Sequence, residues 1–225
     1  MRDAAGRPLA RWLCTPGRLD HLAAGWLASE GLVRDRAELV RLEVTGPGEV
    51  TVELAPAALA RLGAARARPE PGPAPSGLPE GIPSGPRRAG TELSALLDDP
   101  PRLAALFAEA FRRSTLRDEA GGGLHTGARV ARGAVADVAE DVSRSAVVDK
   151  LVGAALLAGA PPDDTLLLLS GRISAPIAAK LARAGVAAAA TISIPTTLAV
   201  EIATRAGISL VGRARRGSPW RYGPA

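Results

Sequence analysis

An α/β fold with a parallel sheet is predicted by three observations in the last third of the chain. Leu166 to Leu169 is an unbroken leucine run, too short to cross a membrane and free of charge, as in a strand covered on both faces. Strand-like and helix-like stretches then alternate as far as Gly217 with short connections, the pattern of right-handed strand–helix–strand units. Helix start and stop signals fall at the expected places within that alternation.

Taken in order, Ser174 is placed to cap a helix whose first turn holds Pro176, and Gly185 ends it beyond Lys180. A second strand covers Ala187 to Ser193 and turns at Pro195. A helix from Thr196 to Arg205 stops at Gly207, and a third strand spans Ile208 to Val211. Ligands of such sheets bind beyond the carboxyl ends of the strands. Ser170, Gly171 and Arg172 lie at the first end, Ser193 with Thr196 and Thr197 at the second, and Gly212 to Gly217 at the third. These ends are polar, glycine-rich and basic, which suits an anion. In the last of them Arg213, Ala214, Arg215, Arg216, Gly217 and Ser218 form a loop bracketed by Gly212 and Gly217, whose amides can turn toward a phosphate. The alternative is a solvated arginine tail.

Upstream, residues 1–68 read as a small α+β unit. Met1 to Arg11 is short, polar and expected to fray. Thr15 is the expected N-cap of a helix with Pro16 at its first position and Gly31 as its stop; Leu19, Leu22, Ala23, Trp26 and Leu27 share one face, and His21 lies on the solvated side. Alternation from Glu38 to Val44 and from Glu49 to Leu54, around Gly46-Pro47-Gly48, predicts a hairpin. Residues 69–90 carry seven prolines and four glycines between Pro69 and Pro86, a flexible loop or linker. Residues 91–225 form the α/β domain. Helices are expected at Thr91 to Leu97 and Pro100 to Arg113. Three glycines then precede His125 without the lysine of a Walker loop, and a strand from Val135 to Val142 ends on Glu140 and Asp141, read as a solvated strand end. Ser143 caps a long helix through Lys150 to Leu157.

The 225 residues suffice for one good core plus a small satellite. The net charge of +5 is carried almost wholly by arginine, whose planar fork suits phosphate; Lys150 and Lys180 are the only lysines. Aromatic content of 3% supplies few stacking platforms for single-stranded nucleic acid, and no nucleic-acid recognition motif is present. The single cysteine, Cys14, excludes an intramolecular disulfide, a Cys-X-X-Cys redox pair and a multi-cysteine zinc site. No apolar run reaches membrane-spanning length and no signal peptide opens the chain, so a cytoplasmic protein is expected.

Several motifs, in order, resemble the formate dehydrogenase accessory sulfurtransferase family, FdhD/NarQ. They are the TP…SEG stretch of Thr15 to Gly31, Gly122-Gly123-Leu124-His125, and EDVSRSAVVDKLVG from Glu140 to Gly153. Ser170 to Ser174, Lys180, Ile194 to Ala203 and Gly207 to Arg215 follow. The resemblance implies a cytidine-deaminase-like three-layer α/β domain without the deaminase zinc. It implies receipt of sulfur from a cysteine desulfurase onto a Cys-X-X-Cys loop and delivery to the molybdenum or tungsten bis-molybdopterin guanine dinucleotide cofactor. The formate dehydrogenase catalytic subunit is the implied client, homodimers are implied, and GDP would serve as a cofactor analogue. Carried over, the cofactor-binding set is Arg213 to Ser218 with Arg172, Ser170, Gly171, Thr196, Thr197, Lys180, His125, Asp141 and Lys150. The sequence departs from the family pattern where the sulfur loop should lie, within 69–90, which has no cysteine. Three expectations follow: a cofactor-binding maturation protein; a sulfurtransferase that uses Cys14, lowered in pKa by the adjacent helix N-terminus; or, ranked last, a basic nucleic-acid-binding protein that uses the arginine surplus.

Overall fold

The computed structural model describes residues 1–67, 81–85, 90–160, 165–215 and 219–223. A helix-flanked sheet occupies the larger part. Its strands are β4 (His125–Ala131), β5 (Ala134–Asp141), β6 (Leu166–Leu169), β7 (Ala188–Thr191), β8 (Ser209–Gly212) and β9 (Trp220–Tyr222), in the order β5-β4-β6-β7-β8-β9. Only β6, β7 and β8 run parallel; β4 is antiparallel to both neighbours, and β9 is antiparallel to β8. The sheet is therefore mixed, its parallel portion being the predicted strand–helix repeat.

Alternation along β6 explains the layering. Leu167 and Leu169 join the core beneath α6 (Arg144–Leu157), α7 (Ala175–Arg183) and α8 (Thr197–Ala206). Leu166 and Leu168 join the opposite core with Phe107 and Leu103, beneath α3 (Thr91–Leu97) and α4 (Pro100–Arg112). A strand wholly buried on both faces has no polar side to show, which is why its sequence does not alternate. The β5 edge is blunted by guanidinium groups. Arg18 donates to the Val138 carbonyl at 2.5 Å and Arg113 to the Val135 carbonyl at 2.6 Å, occupying acceptors that a foreign strand would need.

The amino-terminal elements share a core of their own. They are β1 (Arg2–Asp3), α1 (Leu19–Ser29), the hairpin β2 (Leu39–Gly46) and β3 (Glu49–Leu54), and α2 (Pro56–Ala67). Residues 1–11 do not fray as expected: β1 pairs in parallel with β3, Met1 is buried, and the Asp3 carboxylate gathers the Ala5 and Arg7 amides. Nor does Thr15 cap α1. That helix begins at Leu19, with Arg18 in the left-handed conformation at φ 59° and no side-chain cap. Ser174 stands at the N-cap of α7 as predicted, but its side chain makes no capping bond. The other signals hold: Ser143 accepts from the Ala146 amide and Thr196 from the Ala199 amide, and Gly207 closes α8 at φ 71°.

Helices α1 and α6 cross with their backbones in contact. A Cβ added to Gly25 would lie 1.7 Å from the Asp149 carbonyl oxygen, and one added to Gly153 would lie 1.9 Å from that of His21. Two glycines at one crossing let the amino-terminal unit seat directly on α6. The predicted loop at 69–90 falls mostly outside the described residues. Among the described residues, no helix is long and apolar enough to cross a membrane.

Candidate functional site

The predicted strand ends do come together. The Ser170 amide donates to the Thr126 carbonyl, and the Ser170 hydroxyl accepts from the Thr126 amide, both at 2.9 Å. Thr191 Oγ1 donates to the Gly171 carbonyl at 2.6 Å and accepts from the Ser193 amide at 3.0 Å. The Thr196 amide donates to the Ile173 carbonyl, the Arg213 amide to Ser193 and the Ala214 amide to Thr191. The three strand-end loops are thus laced to one another by backbone bonds, which fixes their relative positions without using the exposed side chains.

Between them opens a pocket of about 520 Å³ lined by Ser170, Ile192, Ser193, Ile194, Arg213 and Trp220. Arg213 holds a left-handed backbone, φ 55°, which costs a non-glycine residue roughly 1–2 kcal/mol. Its guanidinium lies 4.7 Å over the Trp220 ring, and its Nε is buried with no partner. Stacking leaves the guanidinium fork in one orientation, ready to meet an oxyanion edge-on. Arg215 is exposed and lies 5.4 Å over Phe111, Arg172 is exposed beside Ser170, and Thr197 is exposed on the first turn of α8. Arg216, Gly217 and Ser218 lie outside the described residues.

A groove of about 690 Å³ lies between residues 11–13 and the amino-terminal ends of α6 and α7. His125 and Arg144 line it, and both also touch the narrow cleft shared with Ser170, Gly171 and Arg172. Gly171 makes this junction possible: a Cβ there would lie 2.6 Å from Arg144 Cδ and 3.3 Å from His125 Nδ1. Trp12 and Trp26 meet edge to face at 5.9 Å on the groove wall. Burial pushes the His125 pKa down, Arg144 pushes it further, and Asp141 opposes them. His125 is therefore neutral at pH 7, able both to donate and to accept. A histidine depressed in the folded state favours the unfolded state as it charges, so this residue withdraws stability as pH falls below about 6.5. Arg144→Ala is expected to raise the His125 midpoint, though not to the ordinary value, because burial persists. An NMR titration of the ring protons checks this, and an unmoved midpoint would remove Arg144 as a cause.

The remaining predicted residues stand apart from the strand-end pocket. Asp141 is not a solvated strand end. It is fully buried, paired to Lys150 at 2.8 Å, and accepts from the Thr15 amide and hydroxyl and from the Ser143 amide. Lys150 also donates to Thr15 Oγ1 at 2.7 Å, so neither charge has free surface to offer. Lys180 lines the groove, but its ammonium is surrounded by Asp149, Ser29 Oγ and Glu30 at 2.8–3.1 Å. Burial lifts the Asp149 pKa, and Lys180 and Ser29 oppose that rise. Glu140 accepts from the Leu116 and Arg117 amides and so holds the start of α5 (Leu116–Glu119).

Cys14 corrects the expectation of an activated thiol. It is partly buried against the amino-terminal core, upstream of where α1 begins. Burial first, then Asp141, raises its pKa, with Lys150 only partly offsetting them. Arg144, Trp220 and the Trp12–Trp26 pair were not among the sequence candidates. Arg144 could have been found as the basic residue opening a helix next to a predicted strand end; Trp12 and Trp220 carried no local signal, and Trp26 signalled only an apolar helix face. Among the described residues, no group of three His, Cys, Asp or Glu side chains is arranged to hold a metal ion.

The sequence model of the FdhD/NarQ family matches residues 3–223. The chain is similar to a sulfur carrier protein FdhD from Chromobacterium violaceum, with 37% identity over 91% of this chain and 78% of the relative. A second, from Streptomyces avermitilis, is 33% identical over 95% of this chain and 80% of the relative. The fold matches the crystal structure of a candidate formate dehydrogenase accessory protein from Desulfotalea psychrophila. That match has a TM-score of 0.77 and 20% identity, and covers 99% of this chain and 85% of the other.

Proposed function

The chain belongs to the FdhD/NarQ family, and from that premise we propose that it is a formate dehydrogenase accessory protein that binds the bis-molybdopterin guanine dinucleotide cofactor as cargo. Its client would be the formate dehydrogenase catalytic subunit, and its role to support sulfuration or insertion of the cofactor. The observation that carries the reading is the strand-end pocket, where an oriented guanidinium, two serines and an exposed tryptophan converge. Arg213 would take a phosphate by its fork, Ser170 and Ser193 would add hydrogen bonds, and the exposed Arg172 and Arg215 would supply further positive charge. Each charge-assisted contact contributes roughly 1.5–3 kcal/mol. A hairpin followed by helix-linked parallel strands, with helices on both faces, also supports reading the larger unit as cytidine-deaminase-like.

Calorimetric titration with GDP, a soluble stand-in for half of the cofactor, tests the binding role. Heat of binding is expected at sub-millimolar nucleotide, and none at millimolar nucleotide would sink it.

The relatives' name, sulfur carrier, supports a second reading in which the chain itself carries sulfur. With one cysteine, only Cys14 could do so. A thiolate must attack to accept sulfur, and the raised pKa of Cys14 leaves less of it at pH 7. Incubation with a cysteine desulfurase and cysteine, followed by intact-mass measurement, is expected to add no sulfur. Mass gain that disappears in Cys14→Ser would establish the second reading.

A further inference from the structure

The strand-end pocket and the groove lie at the carboxyl ends of the parallel strands. The opposite end of the sheet holds a cavity of its own, about 390 Å³, within the range of small-ligand sites. It opens where β6 begins at Leu166 and where Val186 leads into β7, between the carboxyl-terminal halves of α6 and α7. Small residues create the space. Ala155, Ala184 and Gly185 stand where larger side chains would have filled the interval between the helices. Leu151, Leu156 and Val186 make the floor apolar. A largely apolar open pocket of this size is suited to hydrocarbon.

The rim differs in character from the floor. Arg34 and Arg36 flank it on the loop that follows α1, both exposed. The carboxylate between them, Asp35, also lines the cavity and is held by the Ala37 and Glu38 amides. Arg36 spends one donor on the Leu39 carbonyl at 2.6 Å. Arg34 is exposed, its backbone amide donates to Glu38, and the nearby Glu38 carboxylate feels its charge; Arg183, which also lines the cavity, is paired to Glu30 at 3.5 Å, so Arg34 is the rim cation assigned to the anion.

We infer that this cavity is a binding site for a medium-chain alkyl carboxylate, the chain seated on Leu151, Leu156 and Val186 and the carboxylate at the Arg34–Arg36 rim. Such a ligand matches the apolar floor and the arginines of the rim together. The site is separate from the strand-end pocket and does not depend on the cofactor-binding role.

The test is calorimetry of the full chain with decanoate and, separately, with decanol of the same chain length. Decanoate is expected to bind with a micromolar dissociation constant and decanol at least tenfold more weakly. Arg34→Ala should weaken decanoate about tenfold, and Ala155→Phe, which fills the cavity, should abolish binding. A melting curve is recorded for each variant, and Ala155→Leu replaces the phenylalanine if that protein does not fold. No binding of decanoate at its solubility limit would overturn the site. So would unchanged binding in the filled variant, and equal affinity for decanol would overturn the carboxylate assignment.

Discussion

Replacing Asp141 with alanine is expected to destabilise the fold by about 3–5 kcal/mol, because it strands the Lys150 ammonium in the interior. The pair is almost wholly sealed, with side-chain exposures of 2% for Lys150 and 0% for Asp141, so water cannot take the place of the carboxylate. The same change frees the Thr15 amide and hydroxyl and the Ser143 amide from an acceptor. Lys150→Met should cost less, since the carboxylate left behind keeps those three donors. In the double variant the loss should be smaller than the sum, the sign of a shared network. Urea unfolding followed by tryptophan fluorescence measures all three, and a loss below about 1 kcal/mol for Asp141→Ala would contradict the account. The consequence reaches the candidate site, because Thr15 anchors the segment whose Trp12 walls the groove.

Gly25→Ala and Gly153→Ala should each destabilise by about 3 kcal/mol or more, at the upper end of overpacking costs. The added methyl would fall 1.7 Å and 1.9 Å, respectively, from a carbonyl oxygen of the facing helix, and backbone cannot swing aside as a long side chain can. The helices must move apart, and with them the Lys180–Asp149–Ser29 contacts that span the same interface. Intrinsic helix preference works in the opposite direction, favouring alanine by up to about 1 kcal/mol. Gly63 in α2 isolates that term, since an added Cβ there meets nothing within 4 Å. Gly63→Ala is therefore expected to stabilise slightly. Equal small effects at all three positions would mean that the crossing is looser than its geometry.

What was legible in the chain was local. The leucine run, the Ser143 and Thr196 caps and the Gly185 and Gly207 stops act within a few residues, and the structure uses each as a boundary. What was not legible depended on partners far away in sequence. Thr15 has a good capping side chain, yet a buried ion pair 126 residues on claims its hydroxyl, and α1 starts later as a result. Asp141 looked like a solvated strand end for the same reason, since nothing near it in sequence announces Lys150 and Thr15 closing over it. The scarcity of lysine was a usable clue: both lysines proved to be buried centres of ion clusters, where arginine would not have fitted as a point charge. The strand β9 escaped notice because three residues after a basic loop carry no period, and with it went Trp220 and its stack on Arg213. The strand-end residues themselves were readable, because strand–helix alternation places them on one edge whatever the details of the turns.

That edge is the central claim, and nucleotide titration of the native chain beside the Arg213→Ala, Arg215→Ala double variant tests it most directly. GDP should bind the native protein and bind the variant more than tenfold more weakly, a difference of about 1.4 kcal/mol or more. The melting temperature should change little, since one guanidinium is exposed and the other stacks on a half-exposed tryptophan. Equal affinity in the two proteins would remove the strand-end arginines from the site and contradict the account.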